Sequence, residues 1–471
     1  MVRPSLIRAA GALALTVLLP AAAWAQAAGA RADLAITHTT VIDVATGNRL
    51  PNRTILVTGN RVRTVGPAGT GALPRGVRVI DGSGKFVIPG LWDMHVHTIR
   101  HDLDFPLELA NGVTGVRDMG GSTQYPPPGN WGILFDSLRT WRAAIRAGTM
   151  LGPRIVAGGV ALDGPKPRWP QTLSIATPAA ARRVVDSLRA VGVDFIKVYG
   201  ALPKEILRAI AEQTRAAGLP FAGHLPSGVT LEEAADLGQR SVEHVNAFDE
   251  SGFDPAVMAA GKPLAEVFAT FDSTRLARES QALARRPVWS DPTLVAYRSL
   301  TYPIDSVGSD TARIAVYTPT QVRQVWSDRL AGMHQRRPTS EWIQYQQFWE
   351  HDVRAARRAG VKLLVGSDAW NPNVMPGFGL HREMELLVGQ GYSPGAVLRA
   401  ATLGAAEYLG ATDSLGTVAA GKLADLVVLE ADPVADIRNV RRIHAVVVDG
   451  RLLDRRELDR LLAQARASAR R

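Results

Sequence analysis

The stretch PGLWDMHVHT, residues 89–98, marks the point at which the pattern of the chain changes. From residue 33 up to this stretch, short strand-like runs are broken by frequent turn signals and show no helical period. After it, apolar strand-like runs alternate with helix-like segments, several of which begin near Pro or Thr and end at Gly. The change predicts that a domain of alternating strands and helices begins here.

Counting the strand-like runs indicates the architecture of this domain. There are eight, at residues 91–97, 113–118, 154–160, 193–199, 219–224, 240–244, 288–295 and 361–367. Eight strand–helix units in one run predict an α/β fold of the (β/α)8 TIM-barrel type. The alternative, a doubly wound open sheet, is disfavoured because no glycine-rich phosphate loop follows the first strand.

The strand-rich pattern of the N-terminal part returns near the other end of the chain. We therefore predict that residues 26–90 and 412–453 form a small composite β-sandwich domain, with the barrel over residues 91–411. Residues 454–471 are predicted to form a basic, amphipathic terminal helix. The connection over residues 295–350 is long and rich in aromatic residues. It is interpreted either as a lid over the barrel mouth or as a helical insertion that packs its own aromatic side chains.

The first residues predict export. Arg3 and Arg8 precede an apolar run that is too short to span a bilayer comfortably, and Ala23-Trp24-Ala25 is a small-x-small cleavage site. We predict a secretory signal peptide over residues 1–25, cleaved near Ala25, and a secreted or periplasmic location; an uncleaved anchor is the alternative. The chain has no cysteine, which excludes a disulfide framework and a cysteine nucleophile.

The net charge of +10 does not indicate a nucleic-acid partner. The basic residues are spread along the chain, and binding to nucleic acid would need a basic patch on a recognised motif. We expect a small-molecule substrate and no membrane span in the mature form. The sequence does not indicate the oligomeric state.

Isolated polar residues occur at or near the C-terminal ends of five of the eight strands. They are His95 and His97 on the first strand, Lys197 on the fourth, His224 on the fifth, His244 on the sixth and Asp368 on the eighth. Active sites of TIM barrels lie at this end and combine residues from several strands. Imidazole and carboxylate ligands suit divalent zinc and, less specifically, other first-row metals.

Lys197 is unusual because it interrupts the apolar run DFIKVYG, residues 194–200. Burial and cationic neighbours both favour the neutral amine of a lysine. A neutral amine adds carbon dioxide to give a carbamate, whose two oxygens are able to bridge two metal ions. A structural lysine paired with a carboxylate is the alternative.

Four further residues are candidate substrate contacts. Tyr199 shares a strand face with Lys197, so its hydroxyl is placed to bind a substrate carbonyl or carboxylate. The alternative is that the Tyr199 side chain only packs against its neighbours. His381 precedes the helix of the last unit and either supports a metal ligand, contacts substrate or lies on the surface. Arg168 and Trp169 follow the third strand and are candidates for meeting a carboxylate and an apolar group, with a solvated loop as the alternative.

The chain resembles the amidohydrolase superfamily and, within it, the imidazolonepropionase-related branch that includes Xaa-Pro dipeptidases. The resemblance is carried by PGLWDMHVHT, NGVTGVRDMG, DFIKVYG, GHLPSG, SVEH, GSDA, LHRE, AATLGAAEYLG and GKLADLVVLEADP, and it runs from about residue 33 to 450. It implies a distorted barrel, a composite β-domain and a binuclear metal centre. By this resemblance His95, His97 and Asp368 hold the first metal, His224 and His244 hold the second, and carboxylated Lys197 bridges them.

The expected activity is hydrolysis of an amide bond in a dipeptide or an N-acyl amino acid with an apolar part. Two zinc ions would activate a bridging water, and Asp368 would act as base and then as acid. Three alternatives stay open: a lactone or ester hydrolase on the same centre, a mononuclear cyclic amidine hydrolase or deaminase, and a binding protein that has lost activity. Metal content and turnover would separate them.

Overall fold

The structure is a computed structural model that describes residues 32–120, 135–167, 169, 171–244, 252–254, 256–257, 260, 262–301 and 315–470. The predicted signal peptide and Arg168 lie outside the described residues.

Eighteen strands are described. They are β1 (Leu34–Asp43), β2 (Asn48–Thr58), β3 (Arg61–Pro67), β4 (Arg78–Asp81), β5 (Phe86–Pro89), β6 (Leu91–Val96), β7 (Val113–Asp118), β8 (Arg154–Ala157), β9 (Leu162–Asp163), β10 (Leu173–Ser174), β11 (Ile196–Val198), β12 (Phe221–Gly223), β13 (Gln239–Glu243), β14 (Trp289–Asp291), β15 (Lys362–Leu363), β16 (Leu426–Leu429), β17 (Ile443–Val448) and β18 (Arg451–Leu453).

Fourteen α-helices are described. They are α1 (His101–Ala110), α2 (Phe135–Arg146), α3 (Pro178–Val191), α4 (Lys204–Ala217), α5 (Leu231–Leu237), α6 (Leu264–Ala269), α7 (Ser273–Ala284), α8 (Leu294–Thr301), α9 (Thr320–Arg336), α10 (Thr339–Ala359), α11 (Phe378–Gly389), α12 (Pro394–Arg399), α13 (Ala405–Leu409) and α14 (Arg455–Ser468). A π-helical turn, Ala400–Gly404, joins α12 to α13, and a short 3-10 helix, Ile437–Arg441, precedes β17.

Strands from both ends of the chain form one eight-stranded sheet. Its order is β18-β17-β16-β5-β1-β2-β3, with β4 also paired to β1. The two halves meet where β5 runs antiparallel to β16, with Val87 opposite Val428. Inward side chains from both halves, including Leu34 and Leu426, share one apolar core. The sequence predicts a composite β-sandwich domain from both ends of the chain, and the structure has a composite β-rich domain built on a single connected sheet.

The remaining strands are parallel and form the barrel. One set has the order β6-β7-β8 and the other the order β10-β9-β11-β12-β13-β14-β15. The third barrel strand is interrupted: β8 pairs with β7, and the chain then resumes as β9, which pairs with β11. The fold expected from the sequence, a TIM barrel with a β-rich domain, is confirmed.

Backbone hydrogen bonds connect the last strand segment to the first. The Met94 amide donates to the Val365 carbonyl at 3.0 Å, and the Asp368 amide donates to the His95 carbonyl at 2.7 Å. The His97 amide donates to the Ala369 carbonyl at 2.8 Å. These bonds extend the eighth strand beyond β15 and hold its end beside the end of β6.

The predicted lid region, residues 295–350, contains most of α8, all of α9 and the first half of α10. Trp326 and Trp349 are buried, in clusters with Trp370 and with Val353 respectively, so these two indoles contribute to packing. The terminal helix α14 packs on α1 through Ala465. None of the helices in the described part of the chain is long and apolar enough to cross a membrane.

Candidate metal centre

All six side chains predicted as metal ligands lie at the same end of the barrel. His95 lies near the end of β6 and His97 just beyond it, whereas Lys197 lies in the middle of β11. The other three directly follow a strand or its extension: His224 follows β12, His244 follows β13 and Asp368 follows the 364–367 continuation of β15. Parallel strands bring their C-terminal ends to one face, which explains why residues so far apart in sequence meet.

Three of the histidines surround Asp368. Its Oδ1 atom lies 3.6 Å from His95 Nε2 and 3.4 Å from His97 Nε2, and its Oδ2 atom lies 3.8 Å from His244 Nδ1. His224 joins the cluster through its ring, whose centroid is 4.6 Å from that of His244. The structure therefore brings together all four predicted histidines and the predicted aspartate.

The outer ring nitrogens of two histidines show which nitrogen faces the site. His95 Nδ1 lies 2.9 Å from a carboxylate oxygen of Glu243, and His97 Nδ1 lies 2.8 Å from the Gly120 carbonyl oxygen. Because ionised carboxylate and carbonyl oxygens only accept, both Nδ1 atoms donate in the neutral tautomer, and each Nε2 then carries a lone pair. His244 Nδ1 lies 2.7 Å from the Thr293 hydroxyl, which orients the ring but, because a hydroxyl both donates and accepts, does not fix its tautomer.

This arrangement fits a cation. When both imidazoles are neutral, two lone pairs point at one carboxylate oxygen and repel it. A proton on His97, whose pKa Asp368 raises, or a metal ion between the three groups removes this repulsion. Histidine nitrogens and one carboxylate form a donor set suited to zinc and similar ions. His95, His97 and Asp368 offer ligand atoms within 4.8 Å of one another, which a single ion is able to bridge.

Local backbone geometry aims these side chains into the barrel mouth. His244 and Asp368 both have left-handed backbone, with φ of 71° and 55°, which is uncommon for residues other than glycine. Gly366 permits the close approach of strands: a Cβ at that position would lie 2.5 Å from the Cβ of His95. The carboxylate of Asp93 accepts from the amides of His95 and Ser367, so it ties the first strand to the eighth.

Lys197 is buried, with 1% of its surface exposed. Its neighbours on β11, Ile196 and Val198, are completely buried, as expected from the apolar run around it. Among the residues that the structure describes, Nζ has no hydrogen-bond partner. Burial lowers the pKa of Lys197 to about 8, although the nearby carboxylate of Glu243 acts in the opposite direction. The amine therefore deprotonates far more readily than an exposed lysine.

Burial and neighbouring charges shift the pKa values of three other side chains in the cluster. Burial lowers the pKa of His244 to about 3, against the opposing effect of Asp368. Burial also acts to lower the pKa of His97, but the hydrogen bond and charge of Asp368 outweigh it and raise that pKa. Burial acts to raise the pKa of Asp368, whereas His244 and His97 lower it more strongly, so this carboxylate stays ionised.

A buried ion network lies directly behind the histidines and was missed in the sequence. Arg117 on β7 is completely buried and contacts Glu243 and Asp291, with nitrogen–oxygen distances of 2.8 and 3.3 Å. Glu243 also holds His95, so it connects the network to the candidate metal ligands. Arg117 and Glu243, like Lys197, are charged residues within strand-like runs, and that position is the signal by which the sequence could have indicated them.

His95, Glu243 and Asp291 form a second group of side chains with closely spaced ligand atoms. This group already contains a cation, because the Arg117 guanidinium lies against both carboxylates. We therefore assign it to the ion network, and the cluster around Asp368 is the candidate metal site.

The predicted substrate contacts have different surroundings. The Tyr199 ring centroid lies 3.9 Å from that of His224, so Tyr199 is at the cluster. Trp169 is half-buried, and the guanidinium of Arg329 lies 5.6 Å from its ring centroid. His381 is buried on α11 with Nε2 2.9 Å from the Asn111 carbonyl oxygen, so the structure places that nitrogen in a packing contact rather than in the cluster, and the predicted surface alternative is wrong.

The lid region also supplies residues to this end of the barrel. The Tyr297 ring on α8 lies 5.7 Å from that of His244 and 4.6 Å from that of Trp349, measured between centroids. An aromatic wall therefore extends from the histidine cluster into the insertion.

Comparison with known proteins assigns these features to a family. Residues 86–453 match the model described as "Amidohydrolase family". "Adenine deaminase 3" of Rhizobium meliloti (strain 1021) is 23% identical over 446 residues, which covers 90% of this chain and 58% of that protein. "Adenine deaminase" of Moorella thermoacetica is 24% identical over 430 residues, covering 90% and 57%. The chain thus spans less than two thirds of the length of these curated relatives.

Solved structures extend the similarity to the whole fold. A bottromycin amidohydrolase superposes with a TM-score of 0.72 at 28% identity, covering 95% of this chain and 93% of that one. A Xaa-Pro dipeptidase with bound methionine in its active site superposes with a TM-score of 0.65 at 19% identity, covering 89% and 99%. The second likeness, at this identity, concerns the fold alone.

Proposed function

The chain belongs to the amidohydrolase family, and from that premise we propose that it hydrolyses the amide bond of a dipeptide or an N-acyl amino acid with two divalent metal ions. Hydrolysis of a carbon–nitrogen bond follows from the family; the substrate and the number of metals are the proposal. The observation that carries it is the convergence of four histidines and Asp368 beside a buried lysine whose amine has no hydrogen-bond partner among the described residues.

The family resemblance and the geometry together suggest how the ligands are divided. His95, His97 and Asp368 would hold one cation, and His224 and His244 would hold the other; this donor set suits zinc. The neutral Nζ of Lys197 would add to carbon dioxide, forming a nitrogen–carbon bond and releasing one proton. The resulting carbamate offers two oxygens between the two groups of ligands.

The remaining roles belong to residues of the chain. Bound divalent cations lower the pKa of water and polarise a carbonyl group. Asp368, which is held ionised, is placed to accept a proton on a carboxylate oxygen and return it to the leaving amine. Tyr199, beside His224, is placed to donate its hydroxyl hydrogen to a substrate oxygen, and the aromatic wall from Tyr297 excludes water.

An activity screen with metal analysis tests this proposal. We expect the zinc-loaded protein to contain about two zinc ions per chain, to hydrolyse members of a panel of dipeptides and N-acyl amino acids, and to lose activity with chelator. Asp368→Asn should abolish turnover, whereas Asp328→Asn, on the exposed side of α9, should not. Lactones are screened beside this panel, and turnover of lactones alone would replace the amide proposal by the ester alternative.

A second candidate function is deamination of a cyclic amidine such as adenine. It is favoured because the two adenine deaminases align with 90% of this chain, at 23% and 24% identity. Adding adenine to the panel separates the two: release of ammonia from adenine, with one metal per chain and with Lys197→Met still active, would establish this candidate in place of the first.

We also propose that residues 1–25 direct export of the protein. Intact-mass measurement on natively produced protein tests this, with a mature N-terminus near Gln26 expected. A full-length mass in the cytoplasm would contradict it.

A further inference from the structure

Arg329 is a charged residue outside the barrel strands, and the ionisable groups that act on it belong to the candidate metal centre. It lies on α9, in the insertion between β14 and α10. Trp326 and Leu330 on the same helix are buried, and Arg329 lies three residues after the first and one before the second. This spacing places Arg329 on the inward side of α9, whereas Arg323 is exposed.

The contacts of Arg329 differ from those of other partly buried arginines. Arg142 and Arg154 each pair with aspartates at 2.8 Å or less. The Arg329 guanidinium is half-buried and lies 5.6 Å from the centroid of the Trp169 ring. It has no ion pair or hydrogen bond with any other residue that the structure describes.

The charged and ionisable groups that act on Arg329 belong to the candidate site. They are Asp368, Tyr199 and Tyr297. Burial lowers the pKa of Arg329, and the negative charge of Asp368 opposes this effect without cancelling it. The guanidinium is therefore partly desolvated without a matching anion, an arrangement that costs free energy until an anion binds.

We propose that Arg329 binds a carboxylate of the substrate, so that the enzyme selects amides whose leaving amine carries a free acid. This inference rests on the proposed function and defines its substrate class. A guanidinium binds a carboxylate through two parallel hydrogen bonds, which fixes the position of the substrate as well as attracting it. Trp169 packs against the guanidinium and holds its plane.

The class so defined excludes close chemical relatives. An N-acyl amino acid has the carboxylate, whereas its carboxamide has the same shape and no charge. A lactone and a purine base also lack the carboxylate. Selection by Arg329 should therefore favour the free acid, and mainly through KM, because the carboxylate carries the same charge in the ground state and in the transition state.

The test compares two matched pairs of ligands, N-acetyl-L-phenylalanine with its carboxamide and glycyl-L-phenylalanine with its carboxamide. In the zinc-loaded protein we expect kcat/KM for the acids to exceed that for the amides by at least roughly tenfold. Arg329→Met should remove this preference by raising KM for the acids, and zinc content should not change. Arg323→Met, on the exposed side of the same helix, should keep the preference.

Calorimetric titration of the same ligands separates this inference from the proposed function. If the acids bind more tightly than the amides, lose this advantage in Arg329→Met and are not turned over, the result would support carboxylate binding by Arg329 and overturn the proposed amide hydrolysis. If acid and amide are turned over with equal kcat/KM, the result would support the hydrolysis and overturn carboxylate binding by Arg329. Failure of all four ligands both to bind and to react would overturn both.

Discussion

Two buried cations on strands of the same barrel have opposite surroundings. Lys197 on β11 is 1% exposed, and Arg117 on β7 is completely buried. Within the described residues, Lys197 Nζ has no hydrogen-bond partner. The Arg117 guanidinium donates to five acceptors at 2.5–3.3 Å: the Met94 carbonyl, the hydroxyls of Ser241 and Tyr408, and the carboxylates of Glu243 and Asp291.

This difference appears in the ionisation of the two residues. Burial acts to lower the pKa of Arg117, but Glu243 and other neighbours outweigh it and raise that pKa. Burial lowers the pKa of Lys197 to about 8. A buried cation whose donors are all satisfied stabilises the fold around it, whereas a buried amine without acceptors is available for chemistry. We therefore assign Arg117 to structure and Lys197 to the site, and the following variants test the contrast.

Lys197→Arg should have the largest effect. The guanidinium stays charged and cannot add carbon dioxide, so the bridging group is lost and a positive charge enters the ligand cluster. We expect amidase activity to fall by roughly 10³- to 10⁴-fold and zinc content to drop below two per chain. Both are measured on purified protein, by kinetics and by metal analysis.

The control for this variant is Lys204→Arg, which changes a half-exposed lysine that pairs with Glu233 on the outside of the barrel. Its activity should match wild type. Short carboxylic acids should partly restore Lys197→Ala, because they offer two oxygens in the space left by the side chain. Wild-type activity and two zinc ions in Lys197→Arg would assign Lys197 to structure, and the contrast with Arg117 would fail.

Arg117→Met should reduce stability rather than remove chemistry directly. It leaves the carboxylates of Glu243 and Asp291 buried without their cation, and uncompensated buried charges of this kind cost about 3–4 kcal/mol. We expect this decrease in the free energy of unfolding, measured by denaturant titration of the metal-free protein. Arg154→Met, which removes a more exposed pair with Asp425 and Asp449, should cost less. An equal decrease in the free energy of unfolding in both variants would show that Arg117 contributes no more to stability than Arg154.

The contrast also shows what the sequence reveals. The eight strands are predictable because each is a short apolar run, and the candidate ligands are predictable because a polar residue ends or interrupts that run. Strand ends are imprecise: the eighth, predicted over 361–367, is assigned only as Lys362–Leu363, because its later residues bond to β6 outside a regular ladder.

The substrate side was not readable in the same way. Arg329 lies on a helix of an insertion, where an arginine in the sequence looks like any solvated residue. Only the packing of Trp326 and Leu330 turns it inward. His381 shows the converse, since a histidine next to a recognised motif is held by a backbone carbonyl of a neighbouring segment. Contacts between distant loops and helices depend on tertiary packing, which has no periodic signal.

Glu243→Gln tests the residue that connects the candidate metal ligand His95 to the ion network of Arg117. Glu243 accepts from His95 and from Arg117, so its loss weakens an outer hydrogen bond of a ligand as well as an ion pair. We expect zinc affinity to fall by roughly 10- to 100-fold, measured by competition with a chelator. Tyr408→Phe alters the same network without touching a histidine, so it should cost about 1 kcal/mol of stability and leave zinc affinity unchanged. Equal zinc affinity in both variants would mean that Glu243 does not support His95.

The smallest effect is expected in the pH dependence of stability. In the unfolded chain a lysine has a pKa near 10.4, whereas burial lowers the pKa of Lys197 to about 8 in the folded protein. Between these values the unfolded state binds more protons, so the stability of metal-free wild type should rise with pH from about 8 to 10.5. Below pH 8 both states carry the proton, and the cost of burying the charge is at its full value.

Lys197→Met has nearly the same size and no charge, so it should not show this dependence. In carbonate-free buffer without metal, we expect the variant to be more stable than wild type at pH 7, by of order 1–3 kcal/mol, and the advantage to disappear as pH rises through 8 to 10.5. Lys204→Met, at a solvent-accessible position, should differ from wild type by a constant amount over the same range. A constant difference for Lys197→Met as well would mean that the buried amine is already paired like Arg117, and the distinction between the two cations would not hold.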